Sequence, residues 1–544
     1  MLFKEKLKRL SAKEIWQEYC GFLDLSMSEY MAIQRRLLEE QISVFSKSRL
    51  GKAIIKTDAP ISYDDFRKMV PLTTYDDYAP YLLGQTAEVL PSDPVAWLET
   101  TWEGGSRPKK VAPYSREMLD IYTNNIIAAM ILSTSMEKGS FSVRNGDRAL
   151  FGLAPMPYAT GLFPLLIAPE MDIRFMPSQK EAEHLSFREQ STRGFSIAMK
   201  SGMDQFFGMS GIIYTITQRF QEYASSGNVS LKSLVGIKPS RLFRLLRAKY
   251  LCSRDNRPLQ PKDIFSLKGF VCVGTDTALY KNDLEQAWGR RPLEIHGGTE
   301  TGCLATETWG RNGLVFFPDN AFYEFIPKSE MLRGEADPNY TPKTYLMDEV
   351  CANEEYELVL TMFKGGAFMR YRPGDMYRCL CTADEREGIK MPKFEYIDRV
   401  PWVIDIAGFT RITENSINHV LKVANLKIEN WFARKEYDND KRSYMHFYAE
   451  LPLDDAQSHF LTEEVIRDHF STYFRQYDHD YKDLKKMLGI EPLTVTILPH
   501  GIMNAFEMVY GHKIRPINTP NSDITDLNYL IKEQKPSGGS GYLS

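Results

Sequence analysis

From about residue 265 the chain breaks into short apolar or alternating runs, at 269–273, 293–296, 314–317, 322–326, 356–362 and 394–397. Their brevity and their β-branched and aromatic content read as strands. Upstream, apolar residues recur at helical spacing. Ser11-Ala12-Lys13-Glu14 has the capping-box form ahead of Ile15, Trp16 and Tyr19, and Ser26 to Glu29 repeats it before Ile33, Leu37, Leu38, Ile42 and Phe45. Segments 114–134 and 211–224 carry the same helical texture. Helices set between strands predict an α/β protein built on one or more mixed sheets.

After Arg399 the pattern resets. The spacing predicts helix over 414–424, strands over 428–435 and 443–450, helix over 462–476 with Thr462 as N-cap, a strand over 493–498 and a helix from Gly501. This divides the chain into a large N-terminal domain, residues 1–399, and a smaller α/β domain, residues 400–535. Residues 536–544 are rich in Pro, Gly and Ser and read as a flexible tail.

Several classes are excluded. Residues 149–169 carry no charge, yet Pro155, Pro157 and Pro164 lie among them with Gly152 and Gly161. Proline breaks both helix and central strand, so this reads as a buried strand running into a core-lining loop, not a transmembrane segment. The basic N-terminus, Met1 to Arg9, precedes no apolar stretch and is not a secretory signal. With 67 Lys+Arg against 71 Asp+Glu, the net charge of −4 gives no reason to expect nucleic acid or an anionic membrane as partner. Seven cysteines cannot all pair, and Cys379-x-Cys381 reads as a strand with alternating side chains, so reduced thiols in a cytoplasm are expected. Walker-type, H-E-x-x-H and G-x-S-x-G motifs are absent.

Three segments carry chemistry. Thr100-Thr101-Trp102-Glu103-Gly104-Gly105-Ser106-Arg107-Pro108-Lys109 combines hydroxyls, glycines and basic side chains, the groups that phosphate oxygens require, although many surface loops share that composition. His296-Gly297-Gly298-Thr299-Glu300-Thr301-Gly302 follows a predicted strand. Its glycines allow close approach and Glu300 can ligate Mg²⁺, an ion that takes one or two carboxylates together with phosphates; a tight turn with a solvated Glu is the alternative. In Arg370-Tyr371-Arg372-Pro373-Gly374-Asp375 a carboxylate on a Pro-Gly turn can accept both hydroxyls of a ribose, or else pair with a neighbouring arginine.

Taken in order, these segments resemble the signatures of the adenylate-forming superfamily, which includes acyl-CoA synthetases, adenylation domains and luciferases. His296 to Glu300 is similar to its Tyr-Gly-x-Thr-Glu motif, and Tyr371 to Asp375 to its Tyr-Arg-x-Gly-Asp motif. Residues 320–327, 355–361 and 394–414 further resemble the auxin-responsive (Gretchen Hagen) acyl acid amido synthetases.

The resemblance implies a large adenylate-forming domain with a smaller, mobile C-terminal domain. It also implies two-step chemistry on a carboxylic acid, ATP and an amine such as an amino acid, with Mg²⁺. Glu300, as metal ligand, Lys109 and Arg399 would be catalytic. Thr100, Thr101, Gly104, Gly105 and Ser106 would hold phosphates, Gly274, Thr275, Asp276, His296, Gly297, Gly298 and Thr299 would surround adenine, and Asp375 would hold the ribose. An acyl-CoA ligase and a catalytically silent binding homologue are the alternatives. Two positions differ from the family: Trp102-Glu103 replace Gly-Thr in the phosphate loop, and Asn518 stands where the family has a lysine.

Overall fold

The computed structural model describes residues 1–57, 59–100, 109–153, 156–185, 187–225, 239–408, 410–453, 460–477, 481 and 491–534. The chain divides into two compact units, one of Met1–Thr100 with Lys110–Asp398 and a second that runs from Arg399.

In the first unit, β1 (Ala96–Thr100) and β2 (Lys110–Tyr114) pair antiparallel, with Thr100 opposite Lys110. The main sheet takes β3 (Arg148–Gly152), β4 (Arg174–Met176), β5 (Gln205–Met209), β6 (Gly269–Val273), β7 (Leu293–Gly298), β8 (Gly302–Glu307), β9 (Leu314–Phe316), β10 (Ala321–Pro327), β11 (Glu355–Met362), β12 (Asp375–Cys381) and β13 (Lys393–Arg399). Their order is β10-β11-β12-β13-β9-β8-β7-β6-β5-β3-β4. Strands β4, β3, β5, β6 and β7 run parallel, and direction reverses at the β7–β8 pair. The expected mixed-sheet α/β class holds, and all six predicted runs are strands.

The central parallel strands β5 and β6 are buried on both faces, which is why β6 reads as a continuous apolar run. Helix Arg116–Thr134 lies against β6, β7 and β8 and is buried along nearly its whole length; Ser115 caps it by accepting from the Met118 N–H. Tyr114, expected inside this helix, ends β2 instead. Helix Met27–Phe45 carries the predicted capping box, Ser26 with Glu29, and buries Leu37, Leu38, Ile42 and Phe45.

The uncharged segment needs correction. Residues up to Gly152 form the expected strand, but Ala159–Glu170 is a helix with Pro164 and Pro169 inside it. An internal proline costs about 3 kcal/mol or more through the lost hydrogen bond and ring clash. The helix also buries Leu162, Phe163 and Ile167, with Phe163 against Tyr122, Phe151 and Phe207. Burial at about 1.5–3 kcal/mol per large apolar side chain is of the same size as the cost of the two prolines and offsets it. Cys379 and Cys381 lie on β12 as predicted. Among the described residues no helix is long and apolar enough to cross a membrane.

The second unit holds the hairpin β14 (Val403–Ile406) and β15 (Thr410–Thr413), then β16 (Asn430–Tyr437), β17 (Ser443–Glu450) and β18 (Leu493–Leu498). β16 pairs antiparallel and β18 parallel with β17. Thr462 caps helix Glu463–Tyr477 by accepting from the Val465 N–H at 3.3 Å. A final helix, Asn521–Gln534, was not expected from the sequence. Asn518 does structural duty here: its Nδ2 donates to the Val403 carbonyl at 2.7 Å and its Oδ1 accepts from the Lys435 N–H at 3.2 Å. It holds φ +48°, a conformation Asn tolerates better than most residues. The expected tail, 536–544, lies outside the described residues.

Candidate active site

The sheet changes from parallel to antiparallel at the turn between β7 and β8. A β-bulge at His296/Gly297 ends the regular pairing. A Cβ on Gly297 would come within 1.8 Å of the Gly302 carbonyl oxygen, so only glycine fits. The turn is held from several sides. The Gly298 N–H donates to Thr301 Oγ1 at 2.9 Å, the Tyr114 hydroxyl to the Thr299 carbonyl at 2.9 Å, and Asn320 Nδ2 to the Thr301 carbonyl at 2.9 Å. Burial pushes Tyr114 well above its ordinary pKa, with the Glu300 charge adding to it, so it stays a hydroxyl donor.

This turn carries Glu300 inward, at 7% exposure, which excludes a solvated turn residue. The Tyr371 hydroxyl donates to Glu300 Oε1 at 3.0 Å, and Lys110 Nζ stands 3.5 Å from the same oxygen. Lys110 also donates to the Tyr371 hydroxyl at 3.2 Å and lies 5.5 Å and 5.9 Å from the ring centroids of Tyr75 and Tyr371. Those distances suit cation–π contact. The other carboxylate oxygen, Oε2, faces Gly298, where a Cβ would sit 3.6 Å away.

Lys110 was missed by sequence reasoning, which chose its neighbour Lys109. The hairpin register could have found it: Lys110 opens β2 opposite Thr100, the buried last residue of β1. Lys109 is half-buried beside the undescribed segment. Thr101, Trp102, Glu103, Gly104, Gly105 and Ser106 lie outside the described residues.

Asp375 opens β12 directly after Gly374, whose φ is +85°, and is buried. Its Oδ2 lies 3.9 Å from His296 Nε2. The His296 ring stacks on Tyr396, with centroids 4.4 Å apart and planes at 22°, and meets Tyr377 edge-on at 5.3 Å. Both tyrosines escaped sequence reasoning, although the Phe394-x-Tyr396 alternation on β13 marks one face of a strand. The arginines of the same segment are committed elsewhere. Arg370 binds Glu324 through two bonds of 3.0 Å and 2.8 Å, and Arg372 binds Glu357 through two of 2.8 Å and 2.7 Å. Arg370 Nη1 also donates to the carbonyls of Arg67 and Val70, which holds its φ of +47° in place.

On the neighbouring strand, the parallel register sets Val271 beside Leu293 and Cys272 beside Glu294, and so carries Gly274 alongside His296. Gly274 has φ +129°, its carbonyl accepts from Thr277 Oγ1 at 2.8 Å, Thr275 is half-buried, and Asp276 is buried at the N-cap of helix Thr277–Trp288. Behind this edge Lys281 Nζ lies 3.2 Å from Glu294 and 2.5 Å from Glu307. Burial works against the Lys281 charge, but Glu307 and Glu294 outweigh it and hold its pKa above the ordinary value. Burial, against the pull of Lys281, holds the Glu294 carboxyl above the usual carboxylate range.

The first unit therefore brings Glu300, Thr299 and Lys110 to one end of Tyr371, and His296 and Asp375 to the strands beside it. Arg399 ends β13, half-buried, and is grouped with the second unit, as is Lys109. In the second unit Glu429, Glu450 and His500 also lie within reach of one another, but Glu450 already accepts the Gly501 and Met503 N–H groups.

Sequence models of the GH3 family N-terminal domain and the GH3 family central domain match residues 20–150 and 314–399. Among solved structures, the chain is similar to the AtGH3.15 acyl acid amido synthetase in complex with 2,4-DB, with a TM-score of 0.52, 14% identity, and 96% of this chain and 97% of that chain covered. It is similar to the same degree to a 2-hydroxyisobutyryl-CoA ligase in complex with 2-HIB-AMP and CoA: TM-score 0.52, 14% identity, 91% and 88% covered. At such identity these likenesses concern the fold alone. No curated protein matches the chain.

Proposed function

Because the chain belongs to the GH3 family, we propose that it is an ATP-dependent acyl acid amido synthetase, which activates a carboxylic acid as its acyl-adenylate and passes the acyl group to an amine such as an amino acid. The observation that carries this reading is the meeting of Glu300, Lys110 and Tyr371 with His296 and Asp375 at the carboxyl ends of β6 and β7. Ligands of open α/β sheets bind outside the carboxyl ends of the parallel strands.

In the first step a carboxylate oxygen of the acid forms a bond to the α-phosphorus of ATP as the bond to the bridging oxygen breaks, and pyrophosphate leaves. In the second the amine nitrogen attacks the acyl carbon, AMP leaves, and the nitrogen gives up a proton. Asp375 would accept the ribose hydroxyls, and the imidazole face of His296 turned away from Tyr396 would stack on adenine, with Gly274–Asp276 as a second wall. The N–H groups and hydroxyls of Thr100, Thr101, Gly104, Gly105 and Ser106, with Lys109, would take the phosphates, and Arg399 would be catalytic.

Mg²⁺ fits Glu300, because Tyr371 and Lys110 engage Oε1 while Oε2 faces the glycine turn. When bound, the ion would neutralise charge on the phosphoryl oxygens. Lys110 adds fixed positive charge beside the same carboxylate, and donors placed in advance where charge develops are the largest single contribution to many such reactions.

The test is a mass-spectrometric assay with ATP, Mg²⁺, a panel of alkyl and aryl acids, and either mixed amino acids or coenzyme A. An amide together with AMP supports the proposal. A thioester with AMP moves the chain to the acyl-CoA ligase class, and ADP as the nucleotide product contradicts adenylate chemistry.

A further inference from the structure

A cavity of about 410 Å³ lies in the first unit, between helix Ala159–Glu170 and the ends of β3 and β4. Its walls are Phe151, Leu153, Phe175 and Met176 within, with Met156 and Leu165 at the mouth. Met156 and Leu165 are 41% and 48% exposed, large apolar side chains left facing solvent at one place. The polar lining groups are partly spent: Gln179 Nε2 donates to the Pro164 carbonyl at 2.7 Å, and Gln190 Nε2 to those of Ala182 and Leu185. Among the described residues no Lys or Arg lines the cavity, and the one ionisable lining residue is Glu183. An anionic group is therefore disfavoured inside it, and an apolar one is favoured.

Two contacts join this cavity to the candidate active site. Tyr122 donates its hydroxyl to the Ala159 carbonyl at 3.2 Å, beside the lining residues Thr160 and Gly161. The other side of the same ring meets Gly302, where a Cβ would lie 3.3 Å from it, at the end of the Glu300 turn. At the mouth, the Glu99 N–H of β1 donates to the Pro157 carbonyl at 2.9 Å, beside Met156. The cavity thus begins one tyrosine away from Glu300 and next to the strand that leads into the Thr100 segment. It also lies past the carboxyl ends of β3 and β4, on the sheet edge that carries Gly274 and Gly297.

We infer that this cavity receives the apolar body of the acid substrate, an alkyl chain or an aryl group, while its carboxylate lies toward Lys110 and Glu300. The inference rests on the proposed function and adds to it the class of acid. The volume is between two and three times that of the roughly 150 Å³ apolar cavity that holds one benzene ring, so it suits a chain of medium length or a two-ring acid. Each methylene seated there should improve binding about fourfold.

The test measures acid-dependent pyrophosphate exchange with butyrate, hexanoate, octanoate and decanoate, in the native protein and in Leu165→Trp and Ala182→Phe. These substitutions fill the cavity from two different elements, so one remains if the other fails to fold. The acid KM should fall about fourfold per added methylene in the native protein. Each variant should raise the decanoate KM at least tenfold and leave butyrate within twofold. A KM indifferent to chain length, variants that leave decanoate unchanged, or a shift confined to the amine overturns the inference. If no acid supports exchange, the proposed function fails, and calorimetric titration with decanoate alone then decides the cavity. Binding by the native protein that both variants lose supports the site; absent or unaltered binding overturns it.

Discussion

Replacing Lys110 by Met removes a buried ammonium 3.5 Å from Glu300 Oε1, where both side chains are 9% exposed. At an effective dielectric near 20, a unit pair at that separation is worth about 5 kcal/mol, and breaking one partner of a buried pair costs about 3–5 kcal/mol in practice. Glu300 keeps the Tyr371 hydroxyl bond, and Lys110 in the reciprocal variant keeps that hydroxyl and two aromatic rings. The coupling between Lys110→Met and Glu300→Gln should therefore be about 2–4 kcal/mol. Native-state hydrogen exchange suits the measurement, because it reports local opening and does not require the two compact units to unfold together. The amide to follow is Val111, which donates to the Tyr75 hydroxyl at 2.5 Å next to Lys110. Lys110→Met should lower its opening free energy, Glu300→Gln should lower it less, and the double variant should lose less than the sum. Lys109→Met should leave it unchanged. A coupling below about 0.5 kcal/mol, or equal effects of the two lysines, would refute the reasoning.

Three further outcomes are expected. Glu300→Gln should lower kcat by about 10²–10³, the usual cost of removing one group that stabilises transition-state charge, as read by steady-state AMP release. Asp375→Ala should weaken ATP, AMP and adenosine by similar factors in equilibrium dialysis, since all three share the ribose; a loss confined to ATP would place Asp375 at the phosphates. Lys281 has a folded pKa above its ordinary 10.5, so its stabilisation is complete below that pH and is lost as the pH rises through the higher folded value. Lys281→Met should thus melt below the native protein at pH 8 and lose less on going above pH 10.5; parallel curves would contradict the assignment.

Much of the fold could be read because strands such as 269–273 and 443–450 are apolar or alternating over their whole length and end in turn residues. β8 could not, since Gly302–Glu307 mixes Gly, Thr and Glu yet is buried throughout, a state its neighbours impose. Helix Ala159–Glu170 was hidden by its prolines, whose local cost is overridden by tertiary burial. At the site, Glu300, His296 and Asp375 stand out because each sits on a Gly-bearing turn at a strand end. The choice between Lys109 and Lys110 depends on the β1–β2 register, and Tyr377 and Tyr396 join His296 only through pairing across the sheet. Asn518 shows the opposite case: it looks like a lost functional lysine in sequence, and in the fold it ties β14 to β16.

The measurement that bears most directly on the central claim is acid-dependent exchange of labelled pyrophosphate into ATP, with Mg²⁺, across alkyl and aryl carboxylic acids and without any amine. An adenylate-forming ligase returns label to ATP only when its acid is present, and Glu300→Gln should slow that return by about 10²–10³. Nucleotide binding with no exchange above blank for any acid would contradict the account.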